Sequence, residues 1–325
     1  MALWSRIYYN AVYGGLGGLL GWMLFGVFGE RTPSGDLAFL FFTYEDLNLL
    51  LGGALIGLSI GYFVVSVEGI RDQSAVRFAR LASYGALLSW IGGALGMYVG
   101  DQVNYVVIHV FRNLGPVATL AAMIARGLGW SLLGIAIGAS EGIAARSLGK
   151  FSYGTIGGLL GGFIGGVLFE LFYAHARHEG STSYFWSAVG LVILGACIGS
   201  LSALVQAVFQ PANVKVLRGW QEGREYPLDK PASLLGRDEH ADIALFRDMR
   251  VAKKHAYIKR QGERYVLFNN GAPPSDTLVN DVPVADRREL NDGDRVQLGN
   301  VLLRFQLRAA VNRARSRPRP LPARS

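Results

Sequence analysis

Hydrophobic and polar positions follow one pattern up to about residue 209 and another beyond it. In the first part apolar and small residues run on without alternation, and most charged residues stand between the runs or near their ends. A helix crossing a bilayer needs about 20 mostly apolar residues, and six runs are of that order: 7–28, 47–67, 81–99, 118–139, 153–173 and 184–209. The apolar segment 103–111 reads as an interfacial helix ahead of the fourth run. In the second part short apolar stretches alternate with polar positions between glycines, prolines and asparagines, the pattern of strands. Strands are expected at 214–217, 225–228, 232–235, 255–259, 264–268, 295–298 and 301–307, with Gln261-Gly262 and Gly299-Asn300 as hairpin turns. The expected fold is multi-domain: a polytopic all-α membrane domain of six helices over 1–209, a linker at 210–213, an all-β sandwich over 214–308 and a basic, disordered tail at 309–325.

The six runs read as one helical hairpin used three times. Tyr13-Gly14, Tyr84-Gly85 and Tyr153-Gly154 open the odd-numbered runs. Arg6, Arg77 and Arg146 stand seven residues before these tyrosines, Gly21, Gly92 and Gly161 eight after, and Glu30, Asp101 and Glu170 seventeen after. The even runs share Gly-x-x-x-Gly at Gly57/Gly61, Gly134/Gly138 and Gly195/Gly199. So many matches predict a threefold internal repeat of about 70 residues. Glycines four apart lie on one helix face and let backbones approach closely. Gly14, Gly17, Gly18 and Gly21, and likewise Gly154, Gly157, Gly158, Gly161 and Gly165, are therefore expected to be packing faces, within one protomer or between copies in a homo-oligomer. A dinucleotide loop at 14–21 is rejected because no strand precedes it.

Lys and Arg are retained on the cytoplasmic side of a membrane. That puts Arg6, Arg71, Arg77, Arg80, Arg146 and Lys150 inside, with Arg31, Arg112, Arg126 and Arg177 on or nearer the other side. With six spans both termini are then cytoplasmic, in a multi-pass inner-membrane protein. Glu30, Asp101, Glu141 and Glu170 read as interfacial residues that fix span depth.

Composition sharpens the division. The chain is 51% hydrophobic and only 17% charged, against about 25% charged in a soluble domain. Its net charge of +8 owes much to Arg308, Arg313, Arg315, Arg317, Arg319 and Arg324, which suit an anionic lipid surface or a solvated tail rather than nucleic acid. The one cysteine, Cys197, excludes an intramolecular disulfide and reads as a small packing residue. His175 and His178 lack a third metal ligand nearby. With no nucleophile–base pair, no metal cluster and no cofactor motif, no enzymatic activity, metal or cofactor is expected.

The second part carries four short motifs in order: Leu235-Gly236-Arg237, Val251-Ala252-Lys253-Lys254-His255-Ala256, Thr277-Leu278-Val279-Asn280, and the run from Leu290 through Asn291, Asp292, Gly293, Asp294, Arg295, Val296, Gln297 and Leu298 to Gly299. Together they resemble the forkhead-associated (FHA) domain family over residues 214–308, a β-sandwich that reads phosphothreonine peptides with loops at one end. The resemblance implies phosphopeptide contacts from Arg237, Lys253, Ser275, Thr277 and Asn280, and a loop-ordering role for His255. A phosphate carries about −1.5 to −2 charge, and a guanidinium meets it with paired, charge-assisted hydrogen bonds. The family's serine hydroxyl is replaced by Ala252, and its Asn-Gly-Thr by Ser275-Asp276-Thr277 after the insertion-like Gly271-Ala272-Pro273-Pro274. Asp276 is expected to repel a phosphate.

Two readings stay open. One is a membrane-anchored signalling or scaffold protein whose cytoplasmic FHA domain docks a protein partner, phosphorylated on Ser/Thr or not. The other is a transporter or channel regulated by a divergent, phosphate-independent FHA domain; repeats favour it, and the scarcity of ionisable groups at depth counts against it. The topology is testable: a reporter fused after Arg308 is active in the cytoplasm only, and activity on the opposite face contradicts the charge assignment.

Overall fold

The computed structural model describes residues 3–29, 44–72, 74–111, 115–179 and 183–307. Glu30, Arg31, Arg112 and the basic tail from 308 onward lie outside the described residues, as do the side chains of His175, Arg177 and His178. The chain divides into two compact units, Ala2–Val208 and one built on Phe209–Ser325.

The first unit is six helices: α1 (Leu3–Gly29), α2 (Tyr44–Arg71), α3 (Ala75–Phe111), α4 (Pro116–Ala145), α5 (Leu148–Glu179) and α6 (Ser183–Phe209). Segment 103–111 is not a separate interfacial helix. It continues α3, which runs for 37 residues, because no glycine–proline break occurs before Gly115-Pro116. Proline at the first turn of α4 costs no hydrogen bond there. Ser74 and Ser147 accept from the Arg77 and Lys150 amides at the starts of α3 and α5, as helix caps do. Among the described residues four stretches are long and apolar enough to cross a membrane: Asp46–Arg71, Pro116–Ala145, Leu148–Phe172 and Phe185–Phe209. Helices α1 and α3 dilute their apolar residues with glycine, tyrosine and tryptophan.

Burial separates odd helices from even ones. The large buried side chains Ile56, Ile60, Trp130, Leu133, Ile137, Leu194 and Ile198 all belong to α2, α4 and α6, which supply nearly all of one apolar core. The odd helices bury mainly glycines. A Cβ added at Gly17 would stand 2.7 Å from Ile60 Cα, one at Gly157 2.6 Å from Ser202 Cα, and one at Gly161 2.6 Å from Ile198 Cα. Gly134 and Gly138 lie against the Gly158 and Gly154 carbonyls, and Gly195 against that of Gly14. The glycine faces expected from the sequence are thus in use between helices of the same chain.

Among the described residues, ion pairs join helices in two clusters. Lys150 Nζ lies 2.7 and 2.6 Å from the two Glu68 carboxylate oxygens and 3.8 Å from Glu141. The Gln206 amide donates to Glu141 at 2.6 Å and accepts from Arg6 at 2.7 Å. Farther along the helices Arg126 meets Glu170 at 3.3 Å and Asp101 at 3.8 Å. Glu170 is buried among the helices, with Arg126 as its partner.

The second unit is a sandwich of two sheets. One has the order β2 (Glu225–Pro227), β1 (Ala212–Arg218), β11 (Val301–Leu307), β10 (Arg295–Leu298), β7 (Thr277–Val279), β8 (Val282–Pro283). The other runs β4 (Ile243–Ala244), β3 (Ala232–Gly236), β5 (Ala256–Gln261), β6 (Arg264–Asn269), β9 (Arg287–Leu290). Strand β1 begins at Ala212, inside the stretch read as a linker: Ala212 stands opposite Leu307 of β11, and its carbonyl accepts the Leu228 amide at 3.0 Å. Strands β4, β7, β8 and β9 were not expected; β4 and β8 are two residues each and too short to show alternation. Alternate residues of β1 and β11 (Val214, Val216, Leu303, Phe305) point into the core.

Replacing Gly17 or Gly157 with leucine should force the helices apart, at about 1–3 kcal/mol or more. The check is thermal unfolding in detergent, where a fall of several degrees is expected; unchanged melting of both variants would mean the backbones are not so close.

Candidate functional site

The sites expected from the sequence gather mostly at one end of the sandwich, and a histidine holds them there. His255 is fully buried at the start of β5. Its Nδ1 receives the Ala252 amide N–H at 3.1 Å. An N–H can only donate, so Nδ1 carries the lone pair and the ring proton sits on Nε2. Nε2–H then donates to Thr277 Oγ1 at 3.0 Å. Burial lowers the imidazole's pKa, against a smaller pull upward from Asp276 and Asp248, so the neutral ring is the stable form. One ring thereby ties the loop before β5 to the start of β7.

Arg237 follows β3 and meets the same loop. Its amide donates to the Ala252 carbonyl at 3.0 Å, and the Asp238 amide to that of Lys253 at 3.2 Å. Gly236 must lack a side chain, since a Cβ there would overlap the Lys253 carbonyl. The Arg237 guanidinium is partly exposed and rests against the Met249 sulfur. Ala252 and Lys253 are exposed beside it. Ser275 is exposed in a 3-10 turn, Pro274–Asp276, that runs directly into Thr277. Arg237, Lys253, Ser275 and Thr277 thus belong to loops linked to one another, but Thr277 is buried and spends its hydroxyl on His255.

Asn280 is elsewhere. It sits at the other end of β7 in a tight turn with Asp281, both at positive φ (50° and 65°). Its amide donates to Asp294 at 2.8 Å and accepts the Arg295 N–H at 2.9 Å. Asparagine tolerates this left-handed conformation, and the turn holds β7 to β10. The expected contact to a peptide backbone at Arg237 does not fit that position, because the side chain is spent on the sheet.

Other residues of the site went unnoticed in the sequence. Asp276 is not a bare charge: Arg250 bonds it at 2.8 Å, so its expected repulsion is largely offset. Asp248 accepts from the Asn300 amide at 2.6 Å and the Arg250 amide at 3.0 Å. Burial pushes its carboxyl up, but these bonds outweigh that and hold it below the usual range. Asn269 braces the loop before the 3-10 turn through Ala272 and Val284, and Asn270 through Lys254. The available signal was the polar run Asp248-Met249-Arg250 and the Asn269-Asn270-Gly271 that opens the loop.

The pH dependence follows from His255. Its folded pKa lies below the ordinary value of 6.5, so the unfolded chain binds the extra proton first and stability is lost as pH falls below about 6.5. Melting of the sandwich should drop between pH 7.5 and 5.5, and the drop should shrink in His255→Gln. A pH-independent melt of the wild type over that range would contradict the neutral tautomer.

Residues 215–309 match the family described as "Inner membrane component of T3SS, cytoplasmic domain". An oxoglutarate dehydrogenase inhibitor of Corynebacterium diphtheriae is 33% identical over 110 residues, which cover 33% of this chain and 75% of that protein. The glycogen accumulation regulator GarA of Mycolicibacterium smegmatis is 33% identical over 107 residues, covering 33% of this chain and 66% of that protein, just under two thirds of its length. A solved structure from "Structural and functional analysis of phosphothreonine-dependent FHA domain interactions" overlaps 30% of this chain and 97% of its own, at 26% identity and a TM-score of 0.28. Through this C-terminal sandwich the chain belongs to the forkhead-associated domain family.

Proposed function

We propose that this is a membrane-anchored signalling or scaffold protein whose sandwich docks a protein partner through a phosphothreonine. The observation that carries the reading is Arg237. Its guanidinium is partly exposed at the loop end and, among the described residues, rests on a thioether, a weak acceptor that a phosphate displaces readily. Lys253 adds a point charge on the neighbouring loop, and Ser275 offers a hydroxyl. The Arg250–Asp276 pair keeps the aspartate from opposing the ligand. Relatives that match over the sandwich bear regulatory names, an enzyme inhibitor and an accumulation regulator, which accords with a docking rather than a catalytic role.

The six helices serve as the anchor in this reading. They span the inner membrane as three hairpins, with both termini in the cytoplasm. In the first and third of these hairpins glycines of the odd helix lie on the even helix, Gly17 and Gly21 against Ile60 and Ile56, Gly161 and Gly165 against Ile198 and Leu194. Transport is the less favoured role, since the middle of the bundle is filled by Ile56, Ile60, Leu133, Ile137, Leu194 and Ile198 rather than by polar groups. The glycine faces are occupied within the protomer, so any assembly of copies uses other surfaces.

The missing serine can be put back. Ala252 is exposed, and its backbone is held on both sides, by His255 and by the Arg237 amide. A hydroxyl at that position stands in the Arg237 loop pair, and a hydrogen bond to a charged group is worth about 1.5–3 kcal/mol. Titrating the full-length protein in detergent against phosphothreonine and unphosphorylated peptide libraries should show a phosphate-dependent subset. Arg237→Ala should abolish that binding, and Ala252→Ser should strengthen it about tenfold or more. Equal binding of both libraries, with no gain from Ala252→Ser, would make the domain a phosphate-independent docking module.

A further inference from the structure

Large apolar side chains are rarely exposed on the sandwich: among its described residues only Trp220, Met249 and Val282 are. Two of these three lie at the loop end and are joined through one short segment. Trp220 follows Gly219 in the turn after β1, where Gly219 packs on Val301 and Arg218 reaches the Asn300 carbonyl. The turn therefore sits beside the β10–β11 hairpin, to which Asp248 is also bonded. Arg247 stacks its guanidinium over the Trp220 ring, 3.5 Å from the centroid. Arg247 itself is in the left-handed region, φ 67°, which a non-glycine residue adopts at a cost. Two residues on, Met249 is exposed and carries the Arg237 guanidinium.

We propose that Trp220, Arg247 and Met249 form a second contact for the docked peptide, a shelf that selects an apolar or aromatic side chain flanking the phosphothreonine. This rests on the reading that Arg237 receives the phosphate. The arrangement is continuous: Arg237 touches Met249, and the chain leads from Met249 through Asp248 to the Arg247–Trp220 stack. Trp, Arg and Met are the residue types enriched where interfaces concentrate their binding energy. The stack holds the indole in place, so little order is lost when a ligand side chain lies on it. When phosphate draws Arg237 off the sulfur, the flexible Met249 side chain is freed to close over that residue. A lipid surface is the other habitat of an exposed Trp beside Arg. It is less favoured because Trp220 connects through Arg247 and Met249 to Arg237, and a membrane contact needs no such connection.

The test uses full-length wild type, Trp220→Ala, Trp220→Phe and Met249→Ala in detergent. Phosphothreonine peptides carry Ala, Leu, Met, Phe or Trp at each flanking position in turn, with unphosphorylated twins. The expected result is a preference of about tenfold for an apolar residue over Ala at one fixed position. Trp220→Ala and Met249→Ala lose it, Trp220→Phe keeps most of it, and the all-Ala phosphopeptide binds both Trp220 variants as it binds wild type. Phosphate-dependent binding with no preference, or with one that Trp220→Ala leaves intact, overturns the shelf and leaves the phosphate reading standing. A Trp220-dependent preference that is equal with and without phosphate keeps the shelf and removes the phosphate reading. Failure of both libraries removes both. Quenching of Trp220 emission by brominated lipid in nanodiscs, read as wild type minus Trp220→Phe, would assign the shelf to the membrane and overturn the proposal.

Discussion

The ligand end of the sandwich depends on one buried imidazole. His255 must be neutral, with its proton on Nε2, because an amide N–H points at Nδ1 and a threonine hydroxyl at Nε2. Those two bonds fix the spacing between the loop before β5 and the start of β7, and the backbone bonds from Arg237 and Asp238 then add the loop after β3. Removing the ring would leave a buried amide without an acceptor, a loss of about 1–3 kcal/mol before packing is counted. The scaffold is therefore independent of the residues that touch a ligand. That is why Ala252 and Ser275 can replace a serine and an asparagine while the loops keep their places.

The helical unit rests on a different constraint, the absence of side chains. Odd helices lie on even ones at distances a Cβ would not permit, and the even helices fill the interior with branched side chains. Close backbone approach gains van der Waals contact, the attraction that holds helices together wherever lipid surrounds them. The Lys150–Glu68–Glu141 and Arg126–Glu170 groups add directed contacts between particular helices. In a low-dielectric interior, loss of one partner leaves an uncompensated charge, so these pairs specify which helices meet as well as stabilising them.

Much of this was legible in the sequence. Six helices followed from run length, the glycine faces from spacing, and the sandwich from Gly236-Arg237, His255, Thr277 and the run to Gly299. Several features were not legible, each for a physical reason. Two-residue strands show no alternation. Helix α3 continued because an apolar segment after Gly100 and Asp101 has the same local preference whether it ends a helix or starts the next. Asn280 follows Thr277 closely enough in sequence to seem part of the site, yet strand geometry carries it to the opposite end of β7. Asp276 looked repulsive because Arg250 lies 26 residues earlier and only the fold brings them to 2.8 Å. Trp220 gave no signal at all, since exposure is a property of the folded surface.

In the proposed function a phosphate at Arg237 chooses the partner. The most direct measurement is cross-linking of the full-length protein in its native membrane, before and after phosphatase treatment of the exposed cytoplasmic face, with Arg237→Ala in parallel. The account predicts a cross-linked partner that phosphatase removes and that the Arg237→Ala protein never captures. The same partner captured after phosphatase, or captured equally by Arg237→Ala, would contradict it.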